Sequence, residues 1–294
     1  MPPQDITTTR LAPVRPYDLR MSASGASGGT RRWDGPVLRM ALATAAGPAR
    51  AAVAQRHDGD LEVAVRGADP AAAMDALRFV LATGDDHAPF LRMARTDARL
   101  AATADRCSGY RPARLGTVAQ AVLQAACGQL VTGAQAAQMH RDIVRMAMPR
   151  GDDGLVDAPA AADIARVPTA AMASTGLASR RATALRRLLL GLDVERLRAV
   201  PTADATARIT REPWLGPWSA GVVCTEGLGR WDAPVVGDLG LMRIVCAETG
   251  RWPEAHETAA LVDGYGEWAG LAAMYLLRHP LARRATGGRT ASAA

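Results

Sequence analysis

From about Ala88 onward the sequence stops alternating and becomes a long run of helical segments. No other feature constrains the fold as tightly. Apolar residues recur at helical spacing over 89–104, 117–128, 133–147, 160–173, 179–190 and 193–199. The pattern continues over 203–211, 217–226, 238–247, 254–261 and 266–278. Gly and Pro interrupt it at 149–159, 191, 201 and 213–216. Segments this short, with brief connections, bury their apolar stripes only against one another, which predicts a helical domain. No internal repeat of solenoid period is present.

The first part of the chain reads differently. Strand-like patterns cover Arg15–Met21, Val37–Ala43, Ala49–Gln55 and Leu61–Arg66, and Asp58-Gly59 between the last two is a hairpin signal. Asp69-Pro70 then opens a helix to about Thr83, with Met74, Leu77, Val80 and Leu81 on one face. Residues 22–31 are a Gly/Ser-rich connection. The expected fold is mainly α with a small α+β N-terminal domain. Its parts are a flexible tail (1–14), an antiparallel sheet with helices (15–112), a helical region (113–284) and a second tail (285–294).

Composition narrows the partner and the chemistry. The formal net charge is +6, which favours a polyanionic partner such as nucleic acid. All 35 basic residues counted as Lys plus Arg are Arg. A Schiff-base mechanism needs an amine, and without Lys only the α-amino group supplies one. Cys107, Cys127, Cys224 and Cys246 have neither zinc-site nor redox-pair spacing. Cys127 and Cys224 lie in apolar runs and are expected to be core thiols, which suits a reducing cytoplasm. Met1 to Arg15 is polar and unlike a signal peptide, and no apolar run has the length of a membrane span.

Two stretches carry the candidate chemistry. In Arg211-Glu212-Pro213-Trp214-Leu215-Gly216-Pro217-Trp218-Ser219 a helix ends, turns tightly, and a second helix opens on Pro217. Free N–H groups at such a helix start suit a phosphate, although a plain helix–helix connection has the same pattern. Further on, Val236-Gly237-Asp238 precedes the apolar run containing Leu241, Ile244 and Val245. Alone, Asp238 reads as an N-cap, a role compatible with catalysis because backbone donors fix the carboxylate.

In combination, hairpin, helix and Val-Gly-Asp loop resemble the helix-hairpin-helix DNA glycosylase superfamily, where a Gly-Pro-Asp-type loop carries the catalytic Asp. The alkylpurine branch, of the 3-methyladenine DNA glycosylase II type, is the nearest likeness. Gly128-Gln129-Leu130-Val131-Thr132 resembles its Gly-Gln-Leu-Val-Ser segment, and Gly176-Leu177-Ala178-Ser179-Arg180-Arg181-Ala182 its Gly-Leu-Ser-x-x-Lys-Ala segment. Arg15-Pro16-Tyr17-Asp18 resembles the start of its β-rich domain, so the likeness spans about 15–280.

The resemblance implies roles. Asp238 is the catalytic carboxylate. Trp218 lines the base pocket, where an indole attracts a cationic purine by roughly 0.5–2 kcal/mol. Gln129, Leu130, Thr132, Gly216 and Ser219 are expected to contact DNA, with Gln129 and Leu130 as the wedge beside an extruded nucleotide. Trp218 also stands near the place where bifunctional members carry a Lys. The implied protein is a monomeric, monofunctional glycosylase in base excision repair. It hydrolyses the N-glycosidic bond of alkylated purines such as 3-methyladenine in double-stranded DNA, without a cofactor, metal or membrane.

Several positions depart from the family pattern. Trp214 replaces a hairpin Gly, which strains the turn if that position needs φ > 0. Val222 stands where some relatives have a pocket Tyr, and Leu277 where some have a Trp. Around Trp268 and Ala272 the family's Arg-Ser-Tyr portion is missing. The alternatives are a glycosylase for another damaged base, or a damaged-DNA-binding protein on the same scaffold with impaired catalysis.

Overall fold

The structure is a computed structural model and describes residues 6–129 and 131–283. Five antiparallel strands form one sheet in the order β1-β5-β4-β3-β2. They are β1 (Thr7–Leu11), β2 (Arg31–Asp34), β3 (Val37–Thr44), β4 (Gly47–Gln55) and β5 (Leu61–Arg66). In β4 and β5 alternate residues are buried, and Val53 sits opposite both Leu38 and Val63. The helix α2 (Pro70–Leu81) covers this face with Ala73, Met74, Leu77, Val80 and Leu81. Asp69 caps it by accepting from the N–H groups of Ala71 and Ala72.

Two expectations about the N-terminal part are corrected. Thr7–Leu11, assigned to a loose tail, pairs with β5 from Thr7–Val65 to Leu11–Leu61. Its β-branched threonines suit an edge strand whose other edge faces solvent. Arg15–Met21 is not a strand: the short helix α1 (Leu19–Ser22) ends it, capped by Asp18 Oδ1 accepting from Met21 N–H at 2.7 Å. That local bond competes with a sheet ladder. Strand β2, which carries Trp33, was missed beside the Gly/Ser-rich connection.

The helical part contains α3 (Ala88–Thr96), α4 (Ala101–Arg106), α5 (Val118–Gly128), α6 (Gly133–Ala147), α7 (Ala161–Arg166), α8 (Thr169–Ser174) and α9 (Ser179–Gly191). It continues with α10 (Thr202–Thr210), α11 (Pro217–Val222), α12 (Leu239–Thr249), α13 (Ala269–Leu276) and α14 (Pro280–Arg283). The segments 193–199 and 254–261 are 3₁₀ rather than α. The helix expected over 217–226 changes from α to π at Val223 and ends at Leu228.

Buried apolar side chains form two clusters, one under the sheet and one among the helices. Phe90, Leu91, Ala94, Leu100 and Tyr110, which precede the expected boundary near 112, belong to the helical cluster. The two parts are tied by charge: Arg50 of β4 pairs with Asp153 and Asp157, and Arg114 with Asp85. Helix α5 runs through the middle, buried on most sides, and α6, α9 and α11 pack on it. All four cysteines are free, and Cys107, Cys127 and Cys224 are buried. No helix among the described residues is long and apolar enough to cross a membrane.

Close backbone approach between α11 and the loop before α12 positions the site. A Cβ on Gly221 would lie 2.5 Å from the Pro234 carbonyl oxygen and 3.0 Å from Val235 Cα. In an unconstrained helix Gly→Ala stabilises by about 1 kcal/mol. Here Gly221→Ala is expected to destabilise by about 1–3 kcal/mol through overpacking, measured by denaturant unfolding.

Candidate active site

Helix α12 begins at an N-cap, and that cap is Asp238. Its Oδ1 accepts from Gly240 N–H at 2.7 Å, as a capping carboxylate should. Its Oδ2 accepts from the indole Nε1–H of Trp218 at 2.9 Å. Both oxygens therefore have a donor from a fixed part of the fold. Gly237 enters the cap at φ 83°, a left-handed conformation that favours Gly, and its N–H donates to Thr258 Oγ1 at 2.7 Å. Asp238 N–H closes the turn onto the Val235 carbonyl at 3.1 Å.

Trp218 reaches Asp238 because α5 ends in a glycine. A Cβ on Gly128 would lie 2.5 Å from Trp218 Cη2. The absence of a side chain lets the indole lie across the end of α5 with its N–H toward α12. Gly240 is similar: a Cβ there would lie 2.5 Å from Leu277 Cδ2. Asp238, Trp218, Val222, Gly128 and Leu277 share one open cleft of about 1090 Å³. That is ample for a purine nucleotide, since small-ligand sites run to roughly 300–1,000 Å³.

The segment after α5 is bound to the hairpin. Gln129 Nε2 donates to the Trp214 carbonyl at 2.7 Å and to Ser219 Oγ at 2.6 Å. The buried Arg181 of α9 donates to the Gln129 carbonyl at 2.7 Å. Ser219 is itself buried, so its hydroxyl serves Gln129. Thr132 is the exposed N-cap of α6 and forms a capping box with Gln135. Gly216 caps α11 at φ −87°, and a Cβ there would meet nothing within 4 Å. Leu130 lies outside the described residues. Gln129, Thr132, Gly216, Trp218, Ser219 and Asp238 all line the cleft.

The hairpin bears the strain that the sequence suggested. Trp214 has φ 74° and is 53% exposed, with the Arg180 guanidinium 4.3 Å from its ring centroid. Leu215, by contrast, is buried and anchors the turn.

One residue of the cleft escaped the sequence reading. Glu226 lies in the π-helical continuation of α11, eight residues after Trp218 and four after Val222. Helical spacing puts all three on one side, and all three line the cleft. Burial, with the nearby Asp238 adding to it against the pull of Arg31, pushes its carboxyl up to about 7. The signal was present in the sequence: Glu226 is the sole charged residue in the apolar run Gly221–Leu228. Of groups of three or more His, Cys, Asp or Glu arranged for a metal, the described residues contain none.

No family model matches the chain, and no curated protein matches it. Solved structures do. The 3-methyladenine DNA glycosylase of Archaeoglobus fulgidus superposes with a TM-score of 0.77 at 18% identity, over 92% of this chain and 97% of that one. The 8-oxoguanine glycosylase/lyase of Clostridium acetobutylicum, bound to double-stranded DNA, gives 0.71 at 13%, over 88% and 90%. This chain has the fold of the helix-hairpin-helix DNA glycosylases. The 3-methyladenine DNA glycosylase of Schizosaccharomyces pombe, in complex with abasic DNA, gives 0.54 at 15%, over 64% of this chain and 94% of that one. The Archaeoglobus fulgidus structure matches over nearly its full length, so the likeness of fold takes in both the sheet and the helices.

Strain at Trp214 has a measurable signature. Gly and Ala both remove the stacked ring, but only Gly adopts φ 74° without cost. Trp214→Gly is expected to be more stable than Trp214→Ala by about 1 kcal/mol in thermal or denaturant unfolding. Equal stability of the two variants would mean that the backbone at 214 relaxes freely.

Proposed function

We propose that the protein is a monofunctional DNA glycosylase that hydrolyses the N-glycosidic bond of alkylated purines in duplex DNA. The observation that carries this reading is the carboxylate of Asp238, pinned by Gly240 N–H and the Trp218 indole within a cleft of nucleotide size. The solved structures sharing the fold include 3-methyladenine glycosylases, which supports the substrate class. They also include a glycosylase/lyase, so fold alone leaves the reaction type open.

The chemistry follows from charge. An alkylated purine is cationic on the sugar and becomes neutral when it leaves, so its departure needs little acid assistance. The sugar becomes an oxocarbenium-like cation. A carboxylate beside it stabilises that charge, then orients or deprotonates the water that adds to C1′. The hydrogen bonds to Asp238 hold the carboxylate in place before the cation forms, so little reorganisation is needed. Trp218 presents an indole to the same cleft, where a cationic base is favoured by roughly 0.5–2 kcal/mol. Base extrusion is assigned to the 129–132 segment, with Gln129 fixed by Arg181, Trp214 and Ser219. Phosphate contact is assigned to the hairpin and the start of α11 around Gly216.

The absence of Lys from the sequence supports hydrolysis without strand cleavage, since no side chain can form a Schiff base with C1′. The strained Trp214 favours a second reading, a DNA-binding protein that has lost the reaction. Asp238 decides between the two. Wild type is expected to release 3-methyladenine and 7-methylguanine from duplexes. Asp238→Asn should lower release by about 10²–10³-fold, or about 2.7–4 kcal/mol in the barrier, with DNA affinity kept. Salt-sensitive DNA binding with no release by wild type would establish the binder instead.

A further inference from the structure

Glu226 is an acidic residue placed where a DNA-binding cleft has least use for a negative charge. Its neighbours are mostly uncharged. Helices α5 and α11, which pack against its segment, carry no charged side chain at all. Helix α10 carries Asp204, which is exposed, and Arg208, which is partly exposed. The charges that reach the Glu226 carboxyl are Arg31 from β2 and Asp238 from the cap of α12. The two terminal nitrogens of Arg31 donate to the carbonyls of Arg114 and Ala26 at 3.3 Å, and its Nε has no partner among the described residues. Beside the same cleft the side-chain oxygen of Gln124 is buried with no partner among the described residues. The backbone also changes here: α11 widens into a π-helix at Val223–Leu228, an irregularity that recurs at functional sites. The result is a carboxyl group at one wall of the base cleft, with an unmatched amide acceptor in the same cleft.

We propose that Glu226 is the general acid of this site: it gives its proton to a neutral purine as the bond from that base to C1′ breaks. The inference rests on the glycosylase reading above and extends its substrates from cationic to neutral purines. A neutral base leaves as an anion unless it is protonated, so the barrier is high without an acid. In the step, the electron pair of the C1′–N9 bond leaves with the purine, and a ring nitrogen of that purine takes the Glu226 proton. Water adds to C1′ and gives one proton to Asp238. Glu226 then stands as carboxylate and Asp238 as acid, and one proton exchanged through solvent restores both. The sum is addition of water across the glycosidic bond. Two carboxyl groups thus divide the work by environment, as in hydrolysis of other glycosides.

The test compares two lesions and one isosteric variant under single turnover. Duplexes carry either hypoxanthine, a neutral purine, or 7-methylguanine, a cationic one. Glu226→Gln is expected to lower hypoxanthine release by about 10²-fold or more, while 7-methylguanine release stays within about threefold. The second lesion also reports that the variant is folded and binds DNA. For wild type, hypoxanthine release should fall as pH rises through about 7, because the acid form is lost. In Glu226→Gln that dependence should vanish. Equal losses on both lesions, an unaffected hypoxanthine rate, or wild-type release of 7-methylguanine alone would each overturn the acid assignment. Release of neither base by wild type would instead overturn the glycosylase reading on which it rests.

Discussion

The site is organised around one carboxylate with two fixed donors. Asp238 accepts from Gly240 N–H on one oxygen and from the Trp218 indole on the other. Each donor comes from a different helix, so the bond pair also locks α12 against α11. That arrangement has steric preconditions. Gly128 must lack a Cβ for the indole to lie where it does, and Gly221 must lack one for the loop before α12 to approach α11. The geometry of the candidate site therefore depends on small residues at helix crossings as well as on the polar residues themselves. Close packing makes such positions intolerant of even one added methyl group.

The same cleft shows how a single environment gives two carboxyl groups different characters. Asp238 is held in place by two hydrogen-bond donors, one on each oxygen. Glu226 has no such donors among the described residues, and burial raises it toward neutrality. The contrast follows from the fold. Asp238 sits at a helix N-terminus, where backbone N–H groups are free, whereas Glu226 sits within a continuous helical run, where they are already used. Both line the same cleft, and in the proposed reaction the pair would separate the roles of cation stabiliser and proton donor.

Much of this was legible in the sequence, because the relevant signals are local. Asp238 reads as a cap from its place before an apolar run, and it is one. The helices around α5, α6 and α9 follow from periodicity and hardly move. Trp214 in place of a hairpin Gly announced a left-handed strain, and φ is 74° there. What escaped was set by distant parts of the chain. Strand β1 exists because β5 offers it an edge, and no feature of Thr7–Leu11 alone fixes that pairing. Gly128 is indispensable only because Trp218, ninety residues away, crosses it. Glu226 gains its meaning from the cleft it shares with Asp238, which periodicity cannot bring together.

The proposed reaction adds water at C1′ and leaves the DNA backbone whole. Mass spectrometry of a duplex carrying a single 3-methyladenine, after incubation with the wild-type protein, reads this directly. The damaged strand is expected to lose the mass of the base and gain that of a hydroxyl, at full length and without a protein adduct. A strand of unchanged mass, a cleaved strand, or a strand trapped covalently on the protein by borohydride would contradict it.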